Sequence, residues 1–192
     1  NPTNSETYGR LYNWYTVDDD RGVCPDGYHI PTDNEYTGLA DYLGGDSVAG
    51  GKMKSTGTIS GGDGLWNECT GECDLVTNES GFTALPGGYR AYNTGNYSSL
   101  GSFSDYWSSS AEDESMAVHR ELRHNNPACG RFINYKKYGL SIRCLETIEG
   151  CTDSLAINNT YDPLANTNDG SCEYPDNGDY SLSFDGSYYT GG

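Results

Sequence analysis

The sequence predicts an α+β fold, and three observations point to it. One helix is sharply delimited in the first third, strand-like alternation recurs through the second half, and glycine-rich stretches lie between them. The helix is the best-defined element. Cys24-Pro-Asp-Gly-Tyr-His-Ile30 reads as a covalent anchor, a tight turn and a short apolar strand, after which Thr32 opens the helix. The Thr32 hydroxyl can accept a bond from the Glu35 backbone N–H while the Glu35 side chain reaches back to Thr32, a capping box. Asp33 and Glu35 put negative charge in the first turn, where the macrodipole favours it. Tyr36, Leu39, Ala40 and Leu43 recur at helical spacing and make one apolar face. Gly44-Gly45 supplies the stop.

The remaining elements follow in chain order. Tyr8-Gly-Arg-Leu-Tyr-Asn-Trp-Tyr15 loosely alternates large apolar and polar residues, as an N-terminal strand would. Asp18-Asp-Asp-Arg-Gly22 is a turn; its three acids suit calcium, but a solvated loop is the simpler reading. Val48–Lys54 is a marginal second helix, because Gly50 and Gly51 each cost about 1 kcal/mol against alanine. Residues 55–80 form a loop of a length that is usually functional or an insertion. Gly81–Arg90 is an apolar segment broken by Pro86-Gly-Gly88. Met116–Leu122 alternates as a strand, Phe132–Tyr135 is the next, and Lys136-Lys137 turns the chain. Tyr138, Leu140, Ile142 and Cys144 then fall at period two and share a face.

Composition bounds the function. A mean hydropathy of −0.72 sits near that of disordered chains, but 17 tyrosines argue for an aromatic-packed domain. The net charge of −17, with no basic stripe, excludes nucleic acid as a partner. All 11 bases precede residue 145, whereas nine acids follow it, and this break marks a domain boundary. No apolar run is long enough for direct membrane insertion. The chain begins at Asn1-Pro2 and ends at Gly191-Gly192 within a strand-like pattern, as a processed piece of a longer secreted protein would.

Seven cysteines in such a chain point to an oxidising compartment and disulfides. Zinc is the weaker reading, because Cys69-x3-Cys73 has no second Cys or His pair at a fitting distance. A Cys24–Cys144 bridge would tie the first third of the domain to its last strand. Cys69, Cys73 and Cys129 leave one cysteine over whichever pair forms, as a free thiol or an intermolecular link.

Five segments together carry a resemblance. They are Tyr8–Tyr15, Cys24-Pro-x-Gly-Tyr-His-Ile-Pro-Thr-Asp-x-Glu35, Asn78-Glu-Ser-Gly-Phe-Thr-Ala-Leu-Pro-Gly-Gly-Tyr-Arg90, Tyr106-Trp-Ser-Ser-Ser110 and Tyr138-Gly-Leu-Ser-Ile-Arg-Cys144. In this order, over about residues 8–145, they resemble the Fibrobacter succinogenes major paralogous domain. That family is similar to the C-type-lectin-like fold shared with formylglycine-generating enzymes. The resemblance implies a short twisted antiparallel sheet, one or two helices, long irregular loops, and a bacterial cell-surface or secreted setting. Gly150–Pro175 resembles a short Cys-bounded repeat of large bacterial surface proteins, with Cys151 and Cys172 as one disulfide worth about 3 kcal/mol. Tyr180-Ser-Leu-Ser-Phe-Asp-Gly-Ser187 is similar to the first strand of a laminin-G-like jelly roll, cut off from its sheet. The expected domains are therefore 1–148, lectin-like; 149–176, the Cys-bounded repeat; and 177–192, a truncated jelly-roll start or a disordered tail.

Candidate chemistry is sparse. The formylglycine-generating enzymes' cysteine pair around a Gly-Gly-Ser-Tyr-Met-like segment has no counterpart, and Cys144 reads as structural. His119 and His124 flank Glu121 without a metalloprotease pattern, and on a strand they would face opposite sides. Calcium-dependent sugar binding would need carboxylates where Tyr106-Trp-Ser-Ser109 stands, and neutral hydroxyls cannot replace them. Tyr89, Tyr92, Tyr97, Tyr106 and Trp107 could instead offer flat amphipathic contact area, with core as the preferred reading for Trp107 and surface for Tyr92 and Tyr97. Calcium is a candidate cofactor of the repeat, through Asp153, Asp162, Asn166, Asn168 and Asp169. Asx turns would use the same residues, and the spacing is not that of an EF-hand. Asn78, Asn96 and Asn158 head formal glycosylation sequons. The expectation is a non-catalytic extracellular adhesion module that contacts a glycan or surface protein. The alternative is a structural fibre subunit that self-associates by strand exchange.

Overall fold

The structure, a computed structural model, describes residues 2–69, 76–157 and 160–174. Cys73 and the expected strand at 180–187 lie outside the described residues. The chain divides into two compact units, residues 1–146 and 147–192.

The first unit is a mixed α+β fold with small antiparallel sheets and few helices. Its elements are α1 (Pro2–Tyr8), α2 (Trp14–Val17), β1 (Tyr28–His29), α3 (Asp33–Tyr42), α4 (Asp46–Met53), β2 (Tyr89–Arg90), β3 (Tyr97–Ser98), β4 (Phe103–Ala111), β5 (Met116–Arg123), β6 (Asn126–Tyr135) and β7 (Leu145–Glu146). β4, β5 and β6 form the central antiparallel sheet, while β1 pairs with β7 and β2 with β3. Along β4 and β5 the register sets Asp105 opposite Glu121, Tyr106 opposite Arg120 and Trp107 opposite His119. Because side chains alternate across a strand, each of these pairs points to the face opposite its neighbour.

Both faces are covered. On one, Tyr106, Leu122 and Cys129 pack with Tyr36, Ala40 and Leu43 of the α3 region and with Ala49 and Met53 of α4. On the other, Trp107 and Ala117 pack with Trp14 and Leu140. The capping box forms as expected: Glu35 N–H donates to Thr32 Oγ1 at 3.2 Å, and Thr32 N–H donates to Glu35 Oε2 at 2.7 Å. Asp33 has a further role. Buried Arg120 reaches from β5 to donate to Asp33 Oδ1 at 2.8 Å and to Thr37 Oγ1 at 2.6 Å, and Arg131 donates to Asp33 Oδ2 at 2.7 Å. The first turn of α3 is therefore clamped to the sheet.

The N-terminal expectation is corrected. Residues 8–15 are not a strand: Tyr8 ends α1, Gly9 turns the chain at φ +80°, and Trp14 and Tyr15 begin α2. Only Tyr12 pairs, in an isolated bridge with Leu140. Asn13 decides the outcome, because its side chain accepts from the Thr16 N–H and caps a turn that sends the Trp14 indole inward. There the Trp14 Nε1–H donates to Ser108 O at 2.9 Å. Residues 138–144 are likewise not one regular strand. Gly139, Leu140 and Ser141 make single bridges to three different partners, though Tyr138, Leu140 and Ile142 do share the Trp107 side.

The marginal helix is a full one, and the glycines that weaken it are the reason it fits. A Cβ on Gly50 would lie 2.1 Å from the Ala128 carbonyl oxygen, so α4 can approach β6 this closely only without a side chain there. The described part of the 55–80 loop folds back through a Thr58–Trp66 bridge and buries Trp66 beside α4. Lys54, just past α4, buries its stem and donates from Nζ to Arg123 O at 2.8 Å and Asn126 O at 2.9 Å, closing the β5–β6 turn.

The Cys24–Cys144 disulfide closes a separation of 120 residues. In the chain-entropy model that loop is worth about 5 kcal/mol. Cys69 is also disulfide-bonded, and Cys129 is a free, buried thiol pushed up to about 11 by burial, so it is not placed for an intermolecular link.

The second unit holds β8 (Glu149–Gly150) and β9 (Thr167–Asn168) as a parallel pair, and the Cys151–Cys172 disulfide. Among the described residues no helix is long and apolar enough to cross a membrane. The disulfides fit an extracytoplasmic location.

Two outcomes test this packing. Gly50→Ala will destabilise by about 1–3 kcal/mol or more through overpacking against β6, whereas Gly38→Ala, with open space around its Cβ, will stabilise by about 1 kcal/mol through helix propensity. Urea unfolding of both variants reads the opposite signs. Burial pulls Lys54 down from 10.5 to about 8. Between those values the unfolded chain binds the extra proton, so stability rises with pH across this window. Lys54→Met will lack that rise when unfolding midpoints are compared from pH 7 to 10.5.

Candidate functional site

The Trp107 face of the sheet continues past its core into a polar pocket of about 190 Å³. Asp105 on β4 and His119 and Glu121 on β5 project into it. Residues two apart on a strand share a face, and the Asp105–Glu121 pairing brings the two strands' contributions side by side. One ligand-capable atom from each of the three lies within 4.8 Å of the others. His119 Nε2 stands 3.8 Å from Asp105 Oδ1, too far for a hydrogen bond.

These groups are deeply placed. Asp105 is 3% exposed and His119 4%. Burial first, and then the Glu121 charge, raise the Asp105 carboxyl well above its ordinary range. Burial lowers the His119 imidazole to about 4, so it is neutral at pH 7. The His119 ring lies edge-on to Trp107 at 5.8 Å and tilted against Phe132 at 6.0 Å, which fixes its plane. Glu121 accepts from Arg123 Nε at 2.6 Å. Asp105 Oδ1 and His119 Nδ1 are buried without a hydrogen-bond partner.

Tyrosines ring this pocket. Tyr89 and Tyr138 line it, 6.0 Å apart between ring centres, and Tyr92 packs against Tyr138 at 5.2 Å and Tyr135 at 5.3 Å. Tyr92 and Tyr135 are nearly half exposed. Tyr97 on β3 is 76% exposed and lines a separate cleft of about 730 Å³ with Tyr8, Arg10 and Leu100. The expected aromatic surface is therefore present through Tyr89, Tyr92 and Tyr97, joined by Tyr135 and Tyr138. Tyr106 and Trp107 leave the set. Tyr106 stands edge-on to Phe82 at 5.2 Å in the helix-side core, and fully buried Trp107 donates from Nε1 to Tyr12 O at 2.9 Å.

The residues expected to hold calcium in the repeat serve the backbone. Asp153 Oδ1 accepts from Leu155 N–H, Asp162 Oδ1 from Leu164 N–H, Asn168 Oδ1 from Gly170 N–H and Asp169 Oδ1 from Ser171 N–H, each two residues on. These are Asx turns, the alternative that the sequence allows. Asn166 Oδ1 accepts from Ile148 N–H. In the 18–22 turn, Asp19 is paired with Arg21 at 2.6 Å.

Sequence reasoning misses Asp105. His119 and Glu121 are visible as an i, i+2 pair, but Asp105 joins them only through the β4–β5 register. No local pattern around Phe103–Trp107 announces it.

The family described as the Fibrobacter succinogenes major domain matches residues 1–146, well over half of the chain, and the chain belongs to that family. No curated protein and no solved structure matches it.

A buried carboxylate without a donor is a destabilising element. Asp105→Asn keeps its shape and removes the acid whose ionisation burial opposes, and will stabilise the protein at pH 7 in EDTA by about 1–3 kcal/mol. Urea denaturation measures this, and a loss of stability would show that the carboxylate is satisfied in the folded chain.

Proposed function

With membership of the Fibrobacter succinogenes major domain family as the premise, we propose that residues 1–146 are a non-catalytic binding module on a C-type-lectin-like scaffold. It works on a secreted or cell-surface protein and contacts a glycan or another protein. The observation that carries this reading is the patch of mutually packed tyrosines, Tyr92 on Tyr135 and Tyr138, with Tyr97 exposed beside a separate cleft on β3 of the hairpin whose loop holds Tyr92. Tyrosine rings held by one another present amphipathic area with little conformational freedom left to lose, which suits both sugar faces and protein surfaces. The net charge of −17 repels polyanions and leaves uncharged or basic partners. The Cys151–Cys172 repeat acts in this reading as a short spacer closed by its disulfide and Asx turns. Calcium there would have to draw on carboxylates that already accept backbone bonds.

A second reading, a subunit of an extracellular fibre, draws on the repeat. Leu155 is 80% exposed and Leu164 73%, more apolar surface than such a small unit needs to leave open unless a neighbour covers it.

The two readings separate experimentally. On a glycan array or a panel of surface proteins, Tyr92→Ala and Tyr97→Ala will each weaken binding at least about tenfold, or 1.4 kcal/mol, with an unchanged melting temperature. Concentration-dependent polymers in sedimentation, lost in a Leu155→Ser, Leu164→Ser variant, would instead favour the fibre.

A further inference from the structure

The pocket beneath the tyrosines contains more polar chemistry than a contact surface requires. Three donors of metal-ligand type converge there from adjacent strands, and the sheet's own hydrogen bonds hold their spacing. A second, independent observation points to a ligand: Asp105, 3% exposed and part of the pocket lining, holds a buried carboxylate oxygen, Oδ1, with no hydrogen-bond partner. Buried polar atoms are almost always satisfied, and an unpaired buried carboxylate is among the costliest exceptions. Arg123, the cation whose charge acts on Asp105, does not meet this need. Arg123 donates to Glu121 and lies over Phe103 at 5.1 Å.

We propose that Asp105, His119 and Glu121 form a binding site for one divalent first-row metal ion of the zinc class. The donor set selects the class. Calcium takes oxygen ligands, whereas imidazole suits zinc and its neighbours and carboxylates complete their shells. An ion about 2.0–2.2 Å from each donor brings the donors to roughly 3–3.5 Å from one another. The 3.8 Å between His119 Nε2 and Asp105 Oδ1 closes to that by a small side-chain adjustment. A bound dication also supplies the partner that Asp105 Oδ1 lacks and offsets the repulsion between Asp105 and Glu121. Three protein ligands leave a tetrahedral ion one further position, and the pocket that receives it is bordered by Tyr89 and Tyr138. The site stands on its own residues, and its test does not depend on what the tyrosine surface binds.

The test uses the full, tag-free chain stripped with EDTA and titrated calorimetrically with ZnCl2, with CaCl2 as the contrast. One equivalent of zinc will bind with micromolar or tighter affinity and raise the melting temperature, and calcium will bind at least 100-fold more weakly. Asp105→Asn and His119→Gln will each weaken zinc binding at least 100-fold, with circular dichroism confirming the fold. Asp153→Asn with Asp169→Asn will leave zinc binding unchanged. The proposal is overturned if zinc does not bind, if either pocket variant binds as the parent does, if the repeat variant loses the zinc, or if calcium is preferred. Zinc binding that persists in Tyr92→Ala and Tyr97→Ala, whatever those variants do on the array, keeps this outcome separate from the proposed contact function.

Discussion

The register of β4 against β5 governs this domain, because both faces of these strands are buried and each face needs a different set of side chains. With Trp107 opposite His119, the Trp107 face receives Asp105, Glu121 and Ala117, and the helix face receives Tyr106, Arg120 and Leu122. A slip of one residue would exchange the two sets. Arg120 would then leave Asp33 and Thr37, and Trp107 would meet α3 where Tyr106 now fits beside Phe82.

Charge reinforces that register. Arg120 is buried, but its guanidinium meets Asp33, Thr37 and, at 3.4 Å, Asp46, which joins the starts of α3 and α4 to the middle of the sheet. A buried ion pair adds little net stability against an apolar substitute, yet breaking one leaves a stranded charge that costs several kcal/mol. The arrangement therefore acts mainly to specify where the helices sit. Lys54 does the same at the β5–β6 turn, with two carbonyls in place of a carboxylate. Asp105 on β4 is the contrast, a buried carboxyl group without such a partner.

The irregular segments are held differently. A chain with 26 glycines and little aliphatic content gains less from apolar burial than most, and indole and phenol rings supply much of both cores. Their polar atoms are used as well as their faces: Trp14, Trp66 and Trp107 each donate to a backbone carbonyl of a distant loop or strand. The Cys24–Cys144 bridge then limits the unfolded chain. Of the tyrosines left outside, Tyr92 and Tyr135 pack with Tyr138 and Tyr89 around the pocket mouth.

Much of this was legible from residues alone. The capping box at Thr32 and Glu35, the face made by Tyr36, Ala40 and Leu43, the alternation in Met116–Leu122, and the family motifs are local signals with local causes, so the sequence determined α3, β5, the disulfide-bearing class and the family. Where local signals competed, it misled. The alternation in Tyr8–Tyr15 looked like a strand although Asn13 caps a helical turn, and Gly50 looked like a helix breaker because its partner, the Ala128 carbonyl, is 78 positions away in the chain. The tertiary structure alone decided that Tyr106 is core, that Tyr135 and Tyr138 join Tyr92, and that Asp105 stands beside His119 and Glu121. The reason is common to all three: each depends on which strand lies next to which and in what register, and a pairing between distant segments leaves no pattern in either segment by itself.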